Sequence, residues 1–124
     1  MIFKCTGLYP TNGPDVNKFI LEDCKANILV LEDCKKLKAI EPFRNQLPHL
    51  KCIIVYDDKV PDGYQGVYSW KEVMRMGEES PNNGPVFDRQ ANMAINQCAI
   101  LIYTSGTTGN PKGNYRKISF SGKC

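Results

Sequence analysis

Between Ile100 and Gly113 the chain reads I-L-I-Y-T-S-G-T-T-G-N-P-K-G. Four hydroxyls in this stretch, on Thr104, Ser105, Thr107 and Thr108, can donate hydrogen bonds to oxygen atoms. Gly106, Gly109 and Gly113 permit positive φ, so the backbone can turn sharply and expose its N–H groups. Lys112 adds a cation. Amides and hydroxyls gathered in a concave loop beside an ammonium suit a polyphosphate. The stretch therefore predicts a phosphate cradle.

Two common nucleotide loops do not account for it. The Walker pattern requires Gly, four residues, then Gly-Lys-Ser/Thr. Gly106 and Lys112 have that separation, but Pro111 stands in place of the second Gly and Gly113 in place of the magnesium-binding hydroxyl. Pro111 and Gly113 also disfavour a helix starting directly behind the lysine. The dinucleotide fingerprint G-x-G-x-x-G is absent, because neither Gly106 nor Gly109 has a glycine two positions earlier. A Ser/Thr/Gly surface turn that binds nothing remains the plain alternative, but few such turns end in Pro-Lys-Gly.

The loop needs a rigid base. Cys98 to Tyr103 is an apolar run ending abruptly at Thr104, which predicts a buried strand with the loop at its carboxyl end. Upstream, Leu8-Tyr9 reads as a strand end, followed by the turn cluster Pro10 to Pro14. A helix is predicted from about Asp15 to Lys25, with Val16, Phe19, Ile20 and Cys24 on one face. Asn27 to Leu31 and Lys51 to Tyr56 read as buried strands. Between them Asp33 can cap a helix carrying Leu37 and Ile40 that breaks near Pro42. Asp57 to Gly66 reads as loop, Ser69 as the cap of a short helix packing through Trp70, Val73 and Met74, and Glu78 to Pro85 as polar loop. Strands without polar alternation, separated by helices, predict an α/β fold with a mostly parallel sheet covered by helices on both faces. Ligands of such sheets bind outside the carboxyl ends of the strands, where the Thr104 loop lies.

At 124 residues the chain has the length of one domain with a modest core. Its net charge of +3 is local. Arg116, Lys117 and Lys123 lie in the acid-free tail 114–124, and removing them from the 16 Lys+Arg leaves 13, which balance the 13 Asp+Glu of residues 1–113. With no basic face elsewhere, the sequence predicts no nucleic-acid partner. No apolar run approaches the ~18 residues of a membrane span. No secretory leader is visible at Met1 to Gly7. The six cysteines form no CxxC pair and read as thiols in a reducing, cytoplasmic setting. Leu21-Glu22-Asp23-Cys24-Lys25 recurs as Leu31-Glu32-Asp33-Cys34-Lys35, but two copies do not make a solenoid. His49, the only histidine, enters a strand's amino end and reads as structural or exposed.

The order Y-T-S-G-T-T-G-N-P-K-G resembles, without a gap, the signature loop of the adenylate-forming superfamily. Gly7 to Asn12, Asp23 to Ile28, Leu47 to Lys51 and Asn96-Gln97-Cys98 are similar to the preceding stretch of long-chain acyl-CoA synthetases, with the strongest likeness to the bubblegum-type branch. The resemblance implies part of a two-step ligase. A fatty-acid carboxylate attacks the α-phosphate of ATP to give acyl-adenylate and pyrophosphate, and coenzyme A thiol then displaces AMP. It further implies ATP contacts from Thr104, Ser105, Gly106, Thr107, Thr108, Gly109 and Lys112, with magnesium on the phosphates and coenzyme A as co-substrate. It allows peripheral association with the endoplasmic reticulum membrane. It implies a partial AMP-binding domain over 1–113 and a divergent, basic, disordered tail over 114–124, since Asn114-Tyr115-Arg116-Lys117 departs from the family's apolar and Ser/Thr-His continuation. No catalytic residue is expected in this stretch, so the chain is expected to be inactive alone. A short non-catalytic form that binds nucleotide or a protein partner is the alternative. A flavodoxin-like module would need more sheet loops than the chain shows.

Overall fold

A computed structural model describes residues 4–57, 59–94, 98–104 and 112–117, the last four residues by backbone only. In chain order the elements are β1 (Cys5–Thr6), α1 (Pro14–Asp23), β2 (Ile28–Leu31), α2 (Cys34–Ile40), a 3-10 turn (Glu41–Gln46), β3 (Cys52–Val55), β4 (Val67–Ser69), α3 (Trp70–Glu78), α4 (Gly84–Ala91), β5 (Cys98–Thr104) and β6 (Lys112–Lys117). The chain divides into two compact units, one formed by Asn12–Ser80 and one by Met1–Thr11 with Pro81–Cys124. Each unit carries one three-stranded sheet, β2-β3-β4 in the first and β1-β5-β6 in the second. Pairing is parallel except between β5 and β6. This is the mostly parallel α/β class implied by the alternation of strands and helices, distributed over two sheets.

In the Asn12–Ser80 unit the core follows from apolar spacing. Ile20 and Leu21 of α1 and Leu37 and Ile40 of α2 are buried, as are Leu29, Leu31, Ile53, Val55 and Val67 of the strands. Ile53 and Val55 have no exposure at all, and burying each side chain is worth about 1.5–3 kcal/mol. The unbroken apolar run of β2 is nevertheless used as an alternating strand. Leu29 and Leu31 face the core, while Ile28 is 48% and Val30 50% exposed. Trp70, expected as a packing residue, is 48% exposed, and no side chain of α3 is fully buried.

Caps and closures bound these elements. The Asp33 carboxylate accepts from the Lys36 N–H at 2.8 Å and starts α2, as its sequence position implies. Pro42 lacks an N–H, so α2 ends at Ile40 and the chain tightens into the 3-10 turn. Ser69 and Glu72 form a reciprocal capping box at α3: the Glu72 N–H donates to Ser69 Oγ at 3.3 Å, and the Ser69 N–H donates to Glu72 Oε2 at 2.7 Å. Gly66, at φ +64, brings the loop close to Arg44, and its carbonyl accepts from the N–H of Ile53 at 3.0 Å. Asn27 holds the mouth of the β2–β3 crossover: its carbonyl accepts from Lys51 N–H at 2.8 Å, and its amide Nδ2 donates to the His49 carbonyl at 3.0 Å.

The end of α1 departs from its expected form. Ala26 N–H bonds to Leu21 O at 3.0 Å and Lys25 N–H to Glu22 O at 3.1 Å, the two bonds of a Schellman closure. That geometry needs a left-handed residue, usually Gly. Here Lys25 occupies it at φ 52. α4 was also not legible as a helix. Pro85 in its first turn and the Asn82 side chain accepting from Gly84 N–H at 2.8 Å start it, while Val86 and Phe87 stay exposed.

Two outcomes follow for this unit's stability. Replacing Lys25→Gly relieves the left-handed penalty and should stabilise by about 1 kcal/mol, read as a raised urea midpoint by circular dichroism; a lowered midpoint would show that Lys25 carries no strain. The hydrogen bond from the Ser69 N–H, then that from its hydroxyl, hold the Glu72 carboxyl below its ordinary value of 4.5. A depressed folded pKa contributes stability above the unfolded value, lost as pH falls through the folded one. Glu72→Gln should therefore lower the midpoint at neutral pH and converge with the native chain in acid; curves parallel at every pH would remove the carboxylate from the cap.

Candidate functional site

The site grows out of β5. Its residues alternate: Leu101 and Tyr103 are buried, whereas Ile100 and Ile102 are 47% and 38% exposed. β1 runs parallel to it, Cys5 opposite Ile100 and Thr6 opposite Leu101, so the carboxyl ends of both strands lie at one edge. β6 then returns antiparallel, with Leu101 opposite Tyr115, Ile102 opposite Asn114, Tyr103 opposite Gly113 and Thr104 opposite Lys112. Thr104 is the last residue of β5 and Lys112 the first of β6; both are exposed. Opposed residues of an antiparallel pair share a face with Cβ atoms about 4.5–5.5 Å apart. The Thr104 hydroxyl and the Lys112 ammonium therefore project from the same side of the ladder end.

Of the sequence-derived site residues, Thr104 and Lys112 are brought together in this way. Ser105, Gly106, Thr107, Thr108 and Gly109 lie outside the described residues. Pro111 does too. The ladder extends further into the stretch than expected: Tyr103, Thr104, Lys112 and Gly113 belong to the strands. The expectation of a parallel sheet's rim holds for β1 and β5, and an antiparallel return strand is added to it. Four residues assigned to the tail, 114–117, are in β6.

Sequence reasoning missed Gly113 as more than a turn former. It sits directly opposite Tyr103, and a Cβ built on it would lie 3.1 Å from Tyr103 Cε1 and 3.2 Å from Cζ. The signal was available only as a pair, an aromatic and a glycine flanking the hydroxyl cluster. His49, by contrast, behaves as read: it is exposed, and its backbone carbonyl makes the bond to Asn27. Together with Leu21, Glu22, Lys25, Ala26, Leu47, Pro48 and Leu50 it lines a shallow cleft of about 240 Å³ in the Asn12–Ser80 unit. Among the described residues no group of three or more His, Cys, Asp or Glu could hold a metal. Cys5, Cys24, Cys34, Cys52 and Cys98 are thiols outside any disulfide, and burial pushes the Cys24 thiol up. No helix of the described residues is long and apolar enough to cross a membrane.

An α/β segment whose strands end at Thr104 and resume at Lys112, with a sequence of hydroxyls and glycines between them, belongs to a known class. The family model described as "AMP-binding enzyme" matches residues 4–118, and the chain belongs to that family. The match runs beyond Gly113 into β6. Within it, the chain is 43% identical over 112 residues to the long-chain-fatty-acid–CoA ligase ACSBG2 of Xenopus laevis, covering 86% of this chain and 14% of that protein. It is 41% identical over 110 residues to the human ligase ACSBG1, covering 87% of this chain and 15% of that one. These are the bubblegum-type relatives that the motif resembles. Among solved structures, the anthranilate–CoA ligase AuaEII, determined with anthranoyl-AMP, matches with a TM-score of 0.73 at 27% identity, over 92% of this chain and 20% of its own. The chain thus spans about one-seventh of the length of the ligases it is most usefully compared with.

Proposed function

We propose that this chain is the triphosphate-binding segment of an ATP-dependent long-chain fatty acid–CoA ligase. The observation that carries the reading is the opposition of Thr104 and Lys112 at the end of the β5–β6 ladder, with the whole signature order of hydroxyls and glycines between them. The identity to two long-chain fatty-acid ligases supports the substrate class. The ATP reading draws on the family and on the adenylate-bearing neighbour.

In this reading the chain's residues bind and hold the leaving group. When a fatty-acid carboxylate oxygen attacks the α-phosphorus, the bond to the bridging oxygen breaks and pyrophosphate departs with its electrons. Hydroxyls of Thr104, Ser105, Thr107 and Thr108 donate to β- and γ-phosphate oxygens. Gly106 and Gly109 let backbone amides approach, and Lys112 offsets the charge that grows on pyrophosphate. Fixed donors aimed at developing charge contribute most of such a rate gain, because little covalent chemistry is left for the protein. Magnesium would enter on the nucleotide's phosphates and offset their charge, since this ion is ordinarily held by phosphate oxygens and water with few protein ligands. Coenzyme A is the co-substrate of the second half-reaction, in which its thiol displaces AMP.

Phosphate binding and turnover are separable in this segment. Titrated with Mg·ATP, the chain should bind weakly, and Lys112→Ala should weaken that binding about tenfold, as expected for one charge-assisted contact; superimposable curves would remove Lys112 from the site. The chain alone, given ATP and a long-chain fatty acid, should yield no acyl-hydroxamate in a hydroxylamine trap. Accumulation of that product would show that adenylation needs no more than these residues.

A further inference from the structure

The β5–β6 pair contains one contact that leaves a side chain little room. Gly113 lies directly opposite Tyr103, and the space for its missing Cβ is crowded: Tyr103 Cε1 would stand at 3.1 Å and Cζ at 3.2 Å, closer than ordinary van der Waals contact, and Leu101 Cδ2 at 3.4 Å. Tyr103 is 3% and Leu101 6% exposed, so neither can swing into solvent to make room. Glycine elsewhere in a strand only weakens it, through extra entropy in the unfolded chain and lost packing. Here the ring across the ladder replaces the packing that glycine lacks, a device that pins register in antiparallel pairs.

Register is what the neighbouring pair needs. Side chains alternate with a period of two, so a slip of one residue sends every side chain of β6 to the opposite face. Thr104 and Lys112 share a face only while Tyr103 faces Gly113, because the two pairs are adjacent rungs.

We infer that Gly113 is a positioning residue for nucleotide binding: by accepting the Tyr103 ring where a Cβ would stand, it fixes the rung that sets the Lys112 ammonium beside the Thr104 hydroxyl. The effect on nucleotide rests on the phosphate-binding reading above; the register device does not. In Gly113→Ala the ring must give by a few tenths of an ångström or the strand must slip or bulge; burial holds the ring, so the second course is expected. Tyr103→Leu removes the two ring atoms at fault while keeping an apolar side chain.

The test compares the native chain, Gly113→Ala, and Gly113→Ala combined with Tyr103→Leu, against Tyr103→Leu alone. Cross-strand backbone Overhauser contacts of the 103/113 and 104/112 pairs report register, and Mg·ATP titration reports binding. Gly113→Ala should lose both sets of contacts and bind about tenfold more weakly, the scale of one overpacked position. The double variant should regain the contacts and most of the affinity, which a merely destabilising alanine would not. Native register and affinity in Gly113→Ala overturn the inference, as does an equal loss with and without the Tyr103 ring. If Gly113→Ala fails to fold, recovery of the contacts in the double variant still supports the device, and failure there overturns it. If the native chain shows no Mg·ATP titration, the phosphate reading falls, and the register comparison alone decides the role of Gly113.

Discussion

The register between β5 and β6 constrains everything the signature stretch can do. In an antiparallel ladder the choice of one opposed pair dictates all the others. Once Tyr103 faces Gly113, Leu101 must face Tyr115 and Thr104 must face Lys112. The stretch between Thr104 and Lys112 therefore starts from two ends whose separation and facing are already decided. In the proposed phosphate-binding reading, ends held on a ladder lower the entropy cost of ordering the residues between them around a polyanion. Leu101 and Tyr103 bury one side of β5, and the proposed phosphate contacts fall at its exposed end.

The Asn12–Ser80 unit shows the same division between packing and reach. Its parallel ladder is exact over β2 and β3, Ile28 to Leu31 against Cys52 to Val55, and continues from β3 to β4 through Ile53, Ile54 and Val55. α1 and α2 bury one side of that sheet through Ile20, Leu21, Leu37 and Ile40. On the other side Ile28 and Val30 keep about half their surface uncovered.

What the sequence revealed depended on whether a residue's chemistry was local. The signature loop was legible because the order of hydroxyls, glycines and lysine has few other uses. The caps at Asp33 and Ser69 were legible for the same reason, since a short polar side chain before an apolar run has one favoured role there. β6 was not legible: K-G-N-Y-R-K lacks an apolar alternation, and it becomes a strand by pairing with β5. β4, three residues long, is likewise held by its ladder with β3. α4 hid because Val86 and Phe87 stay exposed and give no buried stripe. The left-handed end of α1 hid because Lys25 stands where glycine is the usual signal. Trp70 misled in the other direction: its size suggests burial, yet the capping box alone suffices to start α3.

The clamp at Asn27 has a kinetic meaning. One residue ties the entrance of β2 to the entrance of β3 through its carbonyl and its side chain. At the far end Tyr56 and Asp57 donate their N–H groups to the carbonyls of Leu31 and Glu32, beyond the last paired rung. The crossover through α2 is thus a loop buttoned at both extremities. Bonds at both extremities oppose fraying of either tip, which ties exchange of the Lys51 and Cys52 amides to opening of the crossover. Deuterium uptake there measures the cooperative lifetime of the unit, not the looseness of an end.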